Sequence, residues 1–371
     1  MFKPRQPREI AAFDYMRYAK RMEYTPGYFL AGSAMSTPSP EEVGYRPEDF
    51  TTSSLCHNYG DPRAIELLRA RYKAKPENIA ITAGSSQGNA LTCLALLEPG
   101  DEVIAEYPSY AAFRLLPPLY HGKVIHLNRR EENGFLPDPA ELRRLLTPRT
   151  RLVVLSNLHN PTLASIPPAL LRELIAISAA NNTYVLVDEV YLDHLKPGAH
   201  DPTCLHYGEN VIATSSLTKV YGLGTLRFGW CLAPSNVIER ILELQDLVDP
   251  ELPAICQNLG VRALVNMERL RKRTRAAHER GLPVIKQWAA SRKDITLFEA
   301  QGGVTAAIKI RGVADSWKLA EHLAYKHRVT VAPGAAFGMD SWLRVNIGKE
   351  PEELRRALDT LGKGIDAFVS K

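Results

Sequence analysis

Lys219 stands in the segment SSLTKVYGLGTLRFGW, with hydroxyl residues just before it and Arg227 downstream. The preceding run VIATSS is apolar, contains β-branched residues and ends in small polar residues, which is typical of a short buried strand. We therefore expect Lys219 just beyond a strand end. A lysine amine that is buried there, close to another positive charge, has a lowered pKa and can act as a nucleophile.

Asp188 ends a second apolar run, TYVLVD, and Tyr191 follows it in DEVY. A carboxylate at the buried end of a central strand is unfavourable unless a cation or hydrogen-bond donors meet it. This segment alone supports two interpretations of Asp188 equally. It is a helix cap or core ion-pair partner, or it is a functional group.

Other strand ends carry residues that suit a ligand. Gly84, Ser85 and Ser86 open a helix after the run NIAIT, and the free N–H groups there suit a phosphate, although an ordinary capped helix would look the same. Tyr110 in YPSY can cover a planar ring or simply pack. Asn160 precedes a proline in HNPT, which by itself indicates a turn.

Seven short apolar runs, which alternate with segments of helical period, must position these residues. The runs lie at 78–82, 102–106, 123–127, 151–156, 183–188, 211–215 and 228–233. Their alternation predicts an α/β fold with a mostly parallel seven-stranded sheet and helices on both faces. Ligands bind beyond the carboxyl ends of such strands, so the polar residues there should form one site.

The C-terminal part predicts a smaller α+β domain. The runs GGVTAAIKI, VTVAPG and WLRVNIG indicate short strands. The last segment, EPEELRRALDTLGKGIDAFV, indicates an amphipathic helix with Leu354, Leu358, Leu361, Ile365 and Phe368 on one face. We expect a large domain at 45–270 and a small one at 271–371.

Composition excludes several classes of protein. The chain has 371 residues, 45% hydrophobic and 23% charged, and its formal net charge of +5 is not concentrated in a basic block, so nucleic-acid binding is not expected. No apolar run is long enough for a signal peptide or a membrane span. The cysteines lack metal-ligand or disulfide spacing, which predicts no metal site and a reducing cytoplasm. They are Cys56, Cys93, Cys204, Cys231 and Cys256.

A single ligand, pyridoxal 5′-phosphate, would use all of the strand-end groups. Its phosphate would bind the segment 84–86, Ser216 and Arg227, and Tyr110 would cover its ring. The remaining residues would contact atoms of the ring and its substituents. Asp188 would bind the pyridine nitrogen, Asn160 and Tyr191 would bind the ring oxygen, and Lys219 would form a Schiff base with the aldehyde.

From about residue 25 to its end, the chain resembles the class I/II aminotransferases of fold type I, the aspartate aminotransferase superfamily. The segment SSLTKVYGLGTLRFGW resembles the family's lysine signature, HNPT its asparagine loop, DEVY its pyridine-nitrogen strand and AGSSQGN its phosphate-binding turn. The resemblance implies transfer of an amino group from an α-amino acid to a 2-oxo acid, with Lys219, Asp188 and Tyr191 as catalytic residues.

The same resemblance implies roles for residues outside these motifs. Arg344 in SWLRVNIG would bind the substrate α-carboxylate, together with Asn160, Gly32 and Ser33. Tyr59 in NYGDPRAIELLR would reach the phosphate in the neighbouring subunit's site, which implies a homodimer with shared sites. The N-terminal segment 1–44 would join the small domain.

Several departures from the family pattern leave the substrate open. Leu163 replaces the glycine of NPTG, Ala64 replaces another glycine, and the loop LAGSAMSTPS lacks the usual Gly-Glu/Gln-Pro form. Elimination, decarboxylation or cyclisation on the same scaffold, and a non-enzymatic cofactor-binding regulator, are the alternatives. The stretch 242–257, where dicarboxylate-specific members usually place a second arginine, contains no lysine or arginine. We therefore expect a neutral or cationic substrate side chain in preference to that of aspartate.

Overall fold

A computed structural model of the protein describes residues 10–51 and 59–370. Its strands are β1 (Tyr28–Phe29), β2 (Ile79–Thr82), β3 (Glu102–Tyr107), β4 (Lys123–Asn128), β5 (Thr150–Ser156), β6 (Tyr184–Asp188), β7 (Val211–Ser216), β8 (Gly229–Leu232), β9 (Ile295–Phe298), β10 (Thr305–Ile310), β11 (Val329–Thr330), β12 (Ala332–Pro333) and β13 (Trp342–Asn346). Its helices are α1 (Asp14–Met22), α2 (Pro40–Val43), α3 (Pro62–Tyr72), α4 (Ser85–Leu96), α5 (Ala112–Leu115), α6 (Pro139–Leu145), α7 (Pro168–Ala179), α8 (Ser235–Val248), α9 (Ala254–Val265), α10 (Met267–Ala290), α11 (Ser316–His327) and α12 (Pro351–Val369).

The predicted α/β fold is confirmed, because β2 to β8 form one seven-stranded sheet in the order β2-β8-β7-β6-β5-β3-β4. The pairs from β4 to β7 are parallel, and β8 runs antiparallel to β2 and β7. In the parallel part, Ser156 on β5 pairs with Asp188 on β6, and Asp188 pairs with Thr214 on β7. The ends of three neighbouring strands therefore lie side by side.

Both faces of this sheet are covered, which explains why its strands are continuous apolar runs. Side chains alternate between the faces, so Val185 and Val187 join one hydrophobic cluster while Leu186 joins another. On β7, Val211 and Ile212 are divided in the same way. Burial on both faces fixes the register of the strands and with it the positions of the residues that follow them.

The C-terminal part contains a four-stranded antiparallel sheet in the order β12-β13-β10-β9. The predicted terminal helix is present as α12, and four residues of its predicted apolar face are fully buried, namely Leu354, Leu358, Leu361 and Ile365. Strands β9 and β1 were not predicted. Strand β1 is only a two-residue strand that pairs in parallel with β11.

Helix α1, near the N-terminus, packs on this C-terminal part of the molecule. Tyr18 and Met22 of α1 lie in one hydrophobic cluster with Ile308 and Leu358. The Tyr18 hydroxyl also donates a hydrogen bond to the carbonyl oxygen of Val331, at 3.0 Å. Within the described ranges, no helix combines the length and the apolar character needed to cross a bilayer.

Candidate active site

A cavity of about 720 Å³ lies beyond the carboxyl ends of β5, β6 and β7. We call its strand-end residues the floor, which are Ser156, Asn160, Asp188, Tyr191 and Lys219, and its N-terminal residues the roof, which are Tyr15, Met16, Ala19, Lys20, Glu23 and Phe29. Other residues named from the sequence also line the cavity, namely Gly32, Ser33, Ser85, Ser86, Tyr110 and Arg227.

Asp188 is a buried carboxylate, 5% exposed, that faces the cavity. Its Oδ2 accepts a hydrogen bond from Asn89 Nδ2 at 2.8 Å, and its Oδ1 accepts one from the Val190 N–H at 3.0 Å. The Thr214 hydroxyl in turn donates to Asn89 Oδ1 at 2.7 Å. Burial raises the pKa of Asp188, while these hydrogen bonds and the charge of Lys219 lower it. The carboxylate is thus held rigidly and is complementary to a cationic group in the cavity.

Lys219 lies on the loop after β7. Its Nζ donates a hydrogen bond to Ser33 Oγ at 3.0 Å. Burial lowers the pKa of Lys219, the charges of Arg344 and Arg227 lower it further, and Tyr15 and Asp188 act in the opposite direction. A lowered pKa increases the fraction of free amine, which is the form that attacks a carbonyl or accepts a proton.

Two other floor residues present polar groups to the same space. Tyr191 is buried, and its ring stacks on His194 with centroids 5.8 Å apart. Burial raises the pKa of the Tyr191 hydroxyl, whereas Arg344 and a hydrogen bond with Ser33 lower it. Asn160 Oδ1 accepts a hydrogen bond from Arg344 Nη1 at 2.7 Å. This bond fixes the orientation of the Asn160 amide group at the wall of the cavity.

The end of the cavity near α4 has the features of an anion site. Gly84 is the N-cap of α4 with φ +81°, and Arg227 Nη2 donates to the neighbouring Ala83 carbonyl at 2.9 Å. A Cβ atom on Gly84 would lie only 2.6 Å from Arg227 Nη2, so glycine is what allows the guanidinium to approach the helix start. Backbone N–H groups, the helix dipole and a guanidinium together suit a phosphate.

Ser216 and Tyr59, both predicted to bind a phosphate, do not line this cavity of their own chain. Ser216 is fully buried and does not line the cavity, and its Oγ is 2.7 Å from the hydroxyl of Thr218, which does line it. Tyr59 lies outside the cavity of its own chain, is 45% exposed and donates a hydrogen bond to Asp246 Oδ2 at 2.8 Å. Tyr110 lines the cavity and packs edge-on against Phe13, with centroids 5.2 Å apart.

Leu163, which stands where the family pattern has a glycine, adopts a left-handed backbone conformation with φ +58°. This left-handed conformation is unfavourable for a leucine by about 1–2 kcal/mol. Its side chain is nevertheless 2% exposed, and a Cβ atom on Gly303 would lie 2.3 Å from Leu163 Cδ1. A glycine at 303 therefore makes room for the larger residue at 163, so that burial of the leucine offsets the strain.

Three residues around the site were missed in the sequence. Asn89 lies on the buried side of α4, one turn after Ser85, and its spacing within AGSSQGN was an available signal. Thr214 precedes the strand end and supports Asn89. Tyr15 contacts Arg344 from a helix 329 residues away in the chain, and no local pattern indicates that contact.

Pyridoxal 5′-phosphate fits the residues present. Gly84 lets the Arg227 guanidinium come close to the start of α4, and together they suit a phosphate. The Asp188 carboxylate has no ion-pair partner within the described part of the chain, and it suits a protonated ring nitrogen. Lys219 faces the same space with a lowered pKa, as an amine that reacts with an aldehyde requires.

Comparisons with known proteins agree with this fit. The model of the family "Aminotransferase class I and II" matches residues 32–361. The chain is 30% identical to the aspartate aminotransferase of Pyrococcus horikoshii over 94% of its length and 92% of the relative's, and 31% identical to the capreomycidine synthase of Streptomyces vinaceus over 87% and 84%. The structure superposes with a TM-score of 0.90 on a PLP-dependent aminotransferase from Streptococcus suis, at 27% identity, covering 97% of this chain and 99% of that one.

Proposed function

The chain belongs to the aminotransferase class I and II family and is a pyridoxal-phosphate-dependent aminotransferase, and on that premise we propose how its residues divide the work. When bound, the cofactor supplies an aldehyde for amines to attack and a ring that accepts electrons from the substrate. An α-amino acid and a 2-oxo acid are the substrates.

Two groups of residues hold the cofactor. The N–H groups of segment 84–86 and the Arg227 guanidinium bind its phosphate. This is supported by the absence of a side chain at Gly84, which lets the guanidinium approach. Asp188 accepts a hydrogen bond from its ring nitrogen and keeps that nitrogen protonated, supported by the Asn89 and Val190 donors that hold the carboxylate in place. Tyr110 covers the ring, and Ser216 binds the phosphate next to Thr218, since the two hydroxyl oxygens lie 2.7 Å apart.

Lys219 moves the proton. Its Nζ accepts the α-proton of the amino acid and later returns it, because burial lowers the pKa of Lys219 and so increases the fraction of free amine that can accept a proton. Asn160 and Tyr191, which line the cavity, bind the ring oxygen. Arg344, which donates a hydrogen bond to Asn160, binds the substrate α-carboxylate. The observation that carries the proposal is the placement of Lys219 and Asp188 on the ends of paired strands facing one cavity.

The test is to add single amino acids to the purified holoenzyme without an acceptor. Transamination predicts loss of the cofactor's aldehyde absorbance together with one equivalent of 2-oxo acid per site, and no further turnover until an acceptor is added. Continuous release of ammonia would indicate an eliminating enzyme. A cyclised product that retains its nitrogen would indicate chemistry of the kind named for the Streptomyces vinaceus relative.

We further propose a homodimer in which Tyr59 reaches the partner's phosphate site. Tyr59 is half-exposed, lies outside the cavity of its own chain and hydrogen-bonds to Asp246 on α8. At the end of α8, Leu247 and Val248 are 81% and 62% exposed. Exposed apolar residues of this kind are typical of an interface. Mixing Lys219→Ala and Tyr59→Phe chains should restore activity, because each hybrid has one site without either lesion. Absence of recovery despite demonstrated subunit exchange would contradict the shared site.

The substrate side chain is proposed to be neutral or cationic, although the Pyrococcus horikoshii relative is named for aspartate. The stretch 242–257 offers no cation, and two of its acids are already engaged, Asp246 with Tyr59 and Asp249 with Gln87 Nε2 at 2.8 Å. A second carboxylate placed near these acids would be repelled.

Two further proposals concern the division of the chain into domains and its compartment. We propose a large domain at 45–270 and a small domain at 271–371 joined by segment 1–44, supported by the contact of α1 with the C-terminal cluster. We propose a cytoplasmic location, supported by the free thiols of the four described cysteines. Cys56 lies outside the described residues.

A further inference from the structure

Arg344 is a buried positive charge whose described hydrogen bonds all go to neutral oxygen atoms. The side chain is 1% exposed, and its Nη2 donates to the Ala31 carbonyl at 2.9 Å and to the Tyr15 hydroxyl at 2.5 Å, while Nη1 donates to Asn160. Its Nε has no hydrogen-bond partner within the described residues. A cation desolvated in this way is unfavourable until an anion reaches it, so its surroundings are complementary to a carboxylate.

Two aromatic rings enclose the same guanidinium. Arg344 Cζ lies 5.3 Å from the centroid of the Tyr15 ring and 5.1 Å from that of Phe337. The two ring centroids are themselves 5.3 Å apart. Rings at these distances stabilise the cation and exclude water from it, which strengthens every hydrogen bond made beside it.

The hydroxyl of Tyr15 has a proton that can be redirected. It accepts a hydrogen bond from Arg344, and it donates to the Ala31 carbonyl at 3.2 Å, which is long for an O–H donor. The Ala31 carbonyl keeps its bond from Arg344 Nη2 if the phenol turns away. The proton can therefore move to a stronger acceptor without leaving a buried oxygen unsatisfied.

The position of this hydroxyl is fixed by the docking of α1. Tyr15 lines the cavity, whereas Tyr18, about one turn further along the same helix, donates to Val331 and packs against Trp317 with ring centroids 5.5 Å apart. The helix is thus held on the C-terminal sheet while one of its phenols faces the substrate space.

We propose that Tyr15 is a substrate-binding residue whose hydroxyl donates a hydrogen bond to the α-carboxylate that Arg344 binds. The inference rests on the proposed function, since the role of Arg344 is part of it. Tyr15 thereby helps the enzyme to distinguish α-amino acids from amines that lack a carboxylate. A hydrogen bond kept throughout the reaction favours binding rather than the rate of the chemical step.

The experiment compares Tyr15→Phe with Tyr18→Phe in the holoenzyme. Each variant loses one phenolic hydroxyl from α1 and keeps the ring. The probes are L-leucine and 3-methylbutylamine, which is leucine without its carboxylate, with binding followed through the change in cofactor absorbance. Tyr15→Phe should raise the dissociation constant of leucine by about 10- to 100-fold and raise KM with little change in kcat. It should leave that of 3-methylbutylamine unchanged, and Tyr18→Phe should change neither.

Equal weakening of leucine and 3-methylbutylamine by Tyr15→Phe, or an unchanged leucine constant, would overturn the proposal. Failure of the proposed function looks different, because the wild-type enzyme would then release no 2-oxo acid from any amino acid. If Tyr15→Phe does not fold, a crystal structure of the wild-type holoenzyme with 4-methylpentanoate decides. The Tyr15 hydroxyl should lie within about 3.2 Å of the carboxylate, and a separation above about 4 Å would refute the assignment.

Discussion

The floor of the cavity comes from the ends of neighbouring strands in one sheet, whereas its roof comes from the N-terminal segment, mostly from a single helix. Asp188 of the floor is held by Asn89, which is itself held by Thr214. The roof has fewer such supports, and Lys20 and Glu23 reach its edge as exposed side chains. We infer from this difference that the floor carries out the chemistry and that the roof selects the substrate.

The sharpest test of this division is Lys219→Ala. Turnover should be abolished, because the amine that bonds the cofactor and the base that moves the proton are lost together. Cofactor should still bind through the phosphate site. Multiple-turnover rates and cofactor per subunit would be measured, with Lys318→Ala, an exposed lysine at the start of α11, as the control. A fully active Lys219→Ala enzyme would show that the floor does not carry out the chemistry.

Asp188→Ala should have the next largest effect. Loss of a preorganised charge at the ring nitrogen is expected to reduce kcat/KM by about 100- to 1000-fold, or about 3–4 kcal/mol, and to weaken cofactor retention. Asn89→Ala should have a smaller effect in the same direction, since it removes one donor and leaves the carboxylate. If both variants react at the wild-type rate, Asp188 is a structural residue.

Glu189, the residue after Asp188, tests how a buried carboxyl group affects the stability of the fold. Burial raises the pKa of this carboxyl from 4.5 to about 7, and its Oε1 accepts a hydrogen bond from the Cys204 N–H. Between these pKa values the folded state binds more protons than the unfolded state, so stability falls as pH rises from about 4.5 to 7. Glu189→Gln should therefore be more stable than wild type at pH 8 by up to about 3 kcal/mol and similar to it near pH 5.

Denaturant unfolding of both proteins at the two pH values would measure this difference. Glu102→Gln is the matched control with the opposite sign. Hydrogen bonds from Thr147 and Arg149 lower the pKa of Glu102, so its ionised form stabilises the fold and the variant should lose stability at pH 8. A Glu189→Gln effect that is the same at both pH values would show that ionisation is not its cause.

The smallest expected effect concerns the substrate side chain. Half-reaction rates for aspartate, alanine, leucine and arginine should place aspartate at least about 10-fold below the best of the others, because no cation in 242–257 meets a second carboxylate. A clear preference for aspartate would shift attention to arginines outside that stretch.

The same division explains what the sequence could and could not predict. Asp188 and Lys219 were identified because each ends an apolar run, and parallel strands bring such ends together. The contact of Ser216 with the phosphate stays a prediction, since its buried hydroxyl lies 2.7 Å from that of Thr218. Tyr15 was missed, because its contact with Arg344 depends on how α1 docks on a sheet far away in the chain.

The docking of α1 also bears on where the functional unit begins. The family match starts at residue 32, so a chain trimmed to the matched segment would keep the whole floor and lose α1. It would lose Tyr18 and Met22 from the C-terminal core and Tyr15 from the guanidinium of Arg344. Such a fragment is expected to hold cofactor yet accept amines and amino acids with similar affinity. The functional unit of this enzyme therefore begins N-terminal to the segment that the family model matches.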